Sequence, residues 1–172
     1  MLKSTIARLL IVGIMVMTGC TAAREGHRRG YQRYDQQFLI WATDHLRDDL
    51  RIARSCPGKR IRPELLSFCA SLVADQSREH DAMANMLASW YQRTPHRDPY
   101  PLWIERQDGR VFEEKFLEGI LRDHRELAKG AAECVRRAEH PELAQLCTEI
   151  TKHREAEAHA MEEWNCRWFN KC

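Results

Sequence analysis

The sequence predicts an all-α protein: a four-helix bundle made of two duplicated helical hairpins, each stapled by a disulfide. Three observations carry this reading. Apolar residues recur at spacings of three and four through four long segments. Two cysteine pairs with the same spacing, Cys56 with Cys69 and Cys134 with Cys147, flank two of the breaks between segments. The chain also matches itself without a gap when shifted by 78 residues.

The first residues form a separate unit. Lys3 and Arg8 precede the apolar run LLIVGIMVM, and Thr18-Gly19-Cys20 follows. A basic start, a short apolar stretch and small residues make an export signal. The run falls short of the roughly 20 apolar residues that a membrane-spanning helix needs. Met17-Thr18-Gly19-Cys20 resembles the bacterial lipobox, which implies a lipoprotein signal over 1–19 and lipidation at Cys20. Plain secretion or a retained N-terminal anchor are the alternatives. Several acyl chains give stable attachment, so the first partner expected is the membrane, reached through the N-terminal lipid. The domain would then face the periplasm from the cell envelope. Residues 20–30 are polar and read as a tether.

Cleavage after residue 19 leaves 153 residues, enough for one real core. It removes two basic residues and no acid, so the formal charge falls from +2 to 0. The arginines are interspersed with acids rather than gathered in a stripe, which argues against a nucleic-acid partner.

The first hairpin repeat spans 31–91. Its first helix carries Phe38, Ala42, His45, Asp49, Ile52 and Cys56 on one stripe, and Pro57-Gly58 ends it. Its second helix starts at Pro63-Glu64-Leu65, where proline suits the first turn and glutamate the positive helix end. Residues 92–111 hold Pro95, Pro99 and Pro101 and read as a crossover. The second repeat spans 112–172 and repeats the layout, with Pro141-Glu142-Leu143 opening its second helix. The 78-residue shift places Phe38-Leu39 on Phe116-Leu117, both cysteines on cysteines, Glu79 on Glu157, Met83 on Met161 and Trp90 on Trp168. Repeats of this kind are repeated packing units.

Six cysteines besides Cys20 in an exported chain point to disulfides. The antiparallel hairpins bring Cys56 to Cys69 and Cys134 to Cys147. Cys166 and Cys172 either close a third bridge at the end of the last helix, or one of them bonds another chain.

A register set by Cys56 facing Cys69 places His45 opposite His80, Asp49 opposite Gln76 and Ala42 opposite Met83. One layer of the first hairpin thus gathers His45, Asp49, Gln76, Glu79, His80 and Met83 where apolar residues are expected. Imidazole with thioether suits copper, above all Cu(I), and imidazole with carboxylate suits zinc, iron or Cu(II). The candidate metal residues are therefore His45, Asp49, Glu79, His80 and Met83. The competing reading is a satisfied polar layer whose His–Asp or His–Glu contacts set the hairpin register. In the second hairpin the same register sets His124 against Glu157, and Arg154 takes the place of Gln76. Arginine is a permanent cation and no metal ligand, so its expected partner is Asp123 or Glu157. A metal would then lie in the first hairpin, or be shared across the bundle through His124 and Glu157. His153 and His159 fall off the stripe and read as solvent-facing.

The segments Phe38…His45…Ala53…Gln76-x-x-Glu79-x-x-x-Met83 and Phe116…His124…Glu157-x-x-x-Met161-x-x-Trp164 resemble the DUF305 family, over nearly all of 35–169 as two diverged copies. The resemblance implies a ferritin-like helical bundle, export, and copper binding through His and Met. Ala42, Ile52, Ile120 and Gly130 stand where the family pattern has methionine, and Leu46 and Asp123 each replace one histidine of its His-His pair.

No phosphate loop, serine elbow, His-Glu-x-x-His or Cys-x-x-Cys occurs, so catalysis is not the expected activity. The expected role is a cell-envelope lipoprotein binding copper or another transition metal for sequestration or resistance. The alternative is a structural envelope protein that binds a protein partner without metal, through an aromatic patch around Tyr100, Trp103, Trp164 and Trp168.

Overall fold

A computed structural model describes residues 19–95 and 102–172, with side chains from Tyr34 onward. The signal segment at 1–18, and Pro99, Tyr100 and Pro101 of the crossover, lie outside the described residues. The backbone forms four long helices: α1 (Gly19–Arg54), α2 (Pro63–Tyr91), α3 (Gly109–Arg137) and α4 (Pro141–Phe169). Single 3-10 turns at Cys56–Gly58 and Trp103–Arg106 complete the secondary structure of the described residues. The helical backbone of α1 begins at Gly19, so the residues read as a tether continue that helix. No described helix is long and apolar enough to cross a membrane.

The helix ends follow from local chemistry. Pro63 and Pro141 open α2 and α4, each followed by a glutamate. Gln92 and Asn170 close the same helices in the left-handed conformation, a common helix stop. Asp108 caps α3 by accepting from the Gly109 N–H, and Gly109 itself has φ +55°.

The helices pack as an all-α four-helix bundle. α1 pairs with α2, α3 with α4, and α1 lies beside α3, with a lighter contact between α2 and α4. The crossover is tied to the α1–α2 turn. Arg51 reaches Glu105 with two nitrogens at 2.5 and 2.7 Å, and this contact holds the Glu105 carboxyl below its usual range. Lys59 donates to the Glu105 carbonyl oxygen, and Arg60 and Arg62 bind Asp108 and Glu113. The six cysteines other than Cys20 are paired: Cys56–Cys69, Cys134–Cys147 and Cys166–Cys172.

The apolar core falls into two clusters. One holds Cys56–Cys69, Leu72, Phe112, Phe116, Ile120 and Met161, with Trp164 and Trp168 against it. The other holds Cys134–Cys147, Leu46, Met83, Leu87 and Leu127, with Trp41 and Trp90 against it. On every helix polar residues lie between the clusters: Asp49 on α1, Gln76 and Glu79 on α2, His124 on α3, and Arg154 with Glu157 on α4.

Candidate functional site: the polar layer at the centre of the bundle

Helical spacing explains the layer. Leu46 and Ile52 bracket Asp49 at three-residue steps, as Leu121 and Leu127 bracket His124, so each polar residue lies on the buried stripe. Asp49, Gln76, His124 and Arg154 are all essentially inaccessible to solvent.

Charges link the layer across helices. Arg154 on α4 donates one guanidinium nitrogen to Glu157 on its own helix and another to Glu79 on α2. Glu79 also accepts from His153 Nδ1 at 3.2 Å. His124 Nε2 lies 3.0 Å from Glu157 Oε2 and its Nδ1 lies 3.6 Å from Asp49 Oδ2. These are close approaches without hydrogen-bond alignment: both His124 nitrogens, both Asp49 oxygens, both Gln76 amide atoms and Arg154 Nε make no hydrogen bond.

Burial tunes the titrating groups. It pushes the Asp49 carboxyl well above its usual range, an effect reinforced by the negative charges of Asp123, Asp48 and Glu157 and opposed by Arg154. It pulls the His124 imidazole down, against the pull of Glu157. Burial also pushes Glu157 up, but His124 and Arg154 outweigh it and hold that carboxyl below the usual range. Asp49 and His124 therefore favour their uncharged forms, while Glu157 is a carboxylate beside a fixed cation.

The residues proposed from sequence as metal ligands are distributed rather than gathered. Asp49 and Glu79 lie in the layer, but Glu79 is taken by Arg154 and His153. His45 turns toward α3: its ring packs on Trp41, its Nδ1 lies 3.1 Å from the Trp41 carbonyl, and its Nε2 lies 3.7 Å from Glu126. His80 pairs with neighbouring Asp81 at 3.4 Å. Met83 is fully enclosed in the apolar cluster. Among the described residues, no group of three or more His, Cys, Asp or Glu side chains is placed to hold a metal ion. The layer also fails the test of charge, because a metal ion there would face the permanent cation of Arg154. The central layer as built does not fit copper.

Of the partners expected for Arg154, Glu157 is found, whereas Asp123 pairs with Arg122. Sequence reasoning did not find the contact from Arg154 to Glu79, which joins the two hairpins. Nor did it find His153 on Glu79. The excess of buried carboxylates over cations in the first hairpin was the available signal.

Fold and layer together define a cysteine-stapled four-helix bundle with a charged centre. Residues 103–165 match the family described as a domain of unknown function, DUF305. The bundle is similar to CopM in its Cu(I)-bound form, at 24% identity over 78% of this chain and 97% of that chain, with a TM-score of 0.71. It is similar to the Cu(II)-bound form of CopM at 25% identity over 78% and 98%, with a TM-score of 0.69. A third likeness is to a putative secreted DUF305 protein from Streptomyces coelicolor, at 16% identity over 78% and 93%, with a TM-score of 0.69. No curated protein matches the chain.

Proposed function

We propose that the protein is a non-catalytic lipoprotein of the cell envelope, anchored through Cys20, whose periplasmic bundle binds copper for sequestration or resistance. In this reading the two hairpins are diverged copies of one DUF305 unit, and the bundle is ferritin-like. The observation that carries the reading is the likeness of the bundle to CopM, a protein solved with Cu(I), Cu(II) and silver. The central layer contributes stability rather than ligands. Copper is taken at the outer faces, where His45 and His80 keep 23% of their side chains accessible and supply imidazole nitrogen. Zinc and iron are the competing ions.

The test is titration of the full oxidised chain with Cu(I), Cu(II) and Zn(II), beside a His45→Ala/His80→Ala variant. A stoichiometric copper complex that the double variant loses supports the proposal. Equal binding by the two proteins sinks it.

A second reading rests on one observation. Trp103 is 59% exposed, at the end of the bundle where Trp164 and Trp168 stack and Arg62 lies over the Trp168 ring. That end suits a protein partner in the envelope and needs no metal. It stands if copper binding fails and Trp103→Ala abolishes capture of an envelope partner.

A further inference from the structure

The disulfides differ in where they sit and what they join. Cys56–Cys69 ties the turn after α1 to α2, and Cys134–Cys147 ties α3 to α4. All four of these cysteines are enclosed in the apolar clusters. Cys166–Cys172 joins no two helices. It links the last turn of α4 to the tail that follows, and its Cys166 is half-buried while its Cys172 is exposed.

Position decides what each bridge can do. A disulfide opens when a thiolate reaches one of its sulfurs, so access governs the exchange. The enclosed bridges are shielded from that attack while the bundle is folded. The third bridge places Cys172 at the surface. It also closes the shortest loop, a separation of six residues against 13, and so restrains the unfolded chain least.

The tail is held by more than the sulfur–sulfur bond. Asn170, in the left-handed conformation, donates its N–H to the Cys166 carbonyl at 3.0 Å. The Lys171 N–H donates to the Asn165 carbonyl at 3.1 Å. These bonds form a helix stop that turns the chain back on its last turn. The Lys171 ammonium lies 2.6 Å from Glu114 and also contacts Glu118, both on α3.

We infer that Cys166–Cys172 is a reversible redox couple, a site of thiol–disulfide exchange whose substrate is a thiol reductant, rather than a third structural staple. A thiolate attacks the Cys172 sulfur and forms a mixed disulfide there. The Cys166–Cys172 bond breaks, and its electron pair leaves on Cys166. A second thiolate attacks the reductant's sulfur in the mixed disulfide and frees Cys172. The reductant departs as its own disulfide, and two electrons and two protons have passed to the cysteine pair. With an oxidised thiol the sequence runs backwards. The helix stop and the Lys171 clamp keep Cys172 beside Cys166 in the open form, so the ring closes again.

The experiment uses the full oxidised chain in native buffer, with any free thiol, Cys20 included, first blocked by iodoacetamide. Glutathione and thioredoxin are the reductants in separate arms, one a small thiol and the other a protein dithiol. N-ethylmaleimide labels the new thiols at timed intervals, and peptide mass spectrometry assigns them. Cys166 and Cys172 should be labelled about tenfold or more faster than the other four disulfide cysteines in at least one arm, which names the source of the thiol. The helical circular dichroism signal should not change. Glutathione trapped in the mixed disulfide should sit on Cys172, and its presence on Cys166 instead overturns the order of attack. Glutathione disulfide should restore the bridge, and Lys171→Ala should shift that equilibrium toward the dithiol by about twofold or more. An equilibrium that Lys171→Ala does not move overturns the role of the clamp. The redox assignment itself is overturned if Cys166 and Cys172 stay unlabelled in both arms, if all three bridges open together, or if opening this one costs helical signal. No metal enters the measurement, so its outcome is independent of copper at His45 and His80.

Discussion

Asp35 of α1 and His140 at the start of α4 are 105 residues apart in sequence and joined by a 2.7 Å contact. The fully buried Asp35 carboxylate also accepts from the backbone N–H groups of Glu139 and His140. A carboxylate from one helix thus caps the opening of another, at the end where a helix presents unpaired N–H groups. The His140 ring in turn stacks on Trp90 at 3.9 Å. Asp35→Ala is expected to cost about 1–3 kcal/mol, from the lost cap and the donors left unpaired. Urea unfolding followed by circular dichroism measures it. An unchanged midpoint would mean that the cap does not hold α4.

The raised carboxyl of Asp49 makes stability depend on pH in a defined sense. The folded protein keeps this proton at pH values where the unfolded chain, with an ordinary value of 3.8, has released it. Its contribution is complete below 3.8 and is lost as pH rises through the folded value. Asp49→Asn is therefore expected to raise Tm at neutral pH, with the advantage shrinking as pH falls toward 3.8.

The lowered imidazole of His124 works in the opposite sense. Its contribution is complete above the ordinary value of 6.5 and is lost as pH falls through the depressed folded value. NMR titration of the His124 ring should find it neutral at pH values where an exposed histidine is already protonated. A midpoint at or above 6.5 would contradict the burial effect.

A β-carbon on Gly130 would lie 2.5 Å from the Trp41 ring. Alanine is a better helix former than glycine by up to about 1 kcal/mol, but this overlap forces the indole to move, at about 1–3 kcal/mol. Gly130→Ala is thus expected to destabilise, and to cost less in a Trp41→Leu background. Equal costs in the two backgrounds would remove the steric explanation.

Cys56–Cys69 and Cys134–Cys147 each span 13 residues. Closing a loop of that size is worth about 3 kcal/mol in the chain-entropy model. Paired Cys→Ala variants should each lose about that much in denaturant unfolding. A loss confined to one pair would show that the hairpins do not unfold as one unit.

Much of the architecture is legible in the order of the residues. Proline followed by glutamate marks the starts of α2 and α4, and the repeated cysteine spacing marks the two turns. The register set by Cys134 and Cys147 correctly opposes His124 and Glu157. What escapes such a reading are contacts between the hairpins. Arg154 to Glu79 and Asp35 to His140 depend on how one hairpin lies on the other, and cysteine spacing within a hairpin carries no information on that. His45 shows the same limit: the stripe places it on the inner side of α1, but the Trp41 ring and Glu126 of α3 draw it away from α2.

The two buried staples lie at opposite ends of the bundle, one in each apolar cluster. Each end therefore has one covalently closed turn beside the open ends of the other hairpin. Helical bundles ordinarily loosen from their tips, where amide hydrogens exchange first. Here both tips are clamped, and the interior groups lacking hydrogen bonds are concentrated midway along the helices. The breathing of this protein should accordingly begin at its waist, with solvent reaching the middle turns while the ends stay shut.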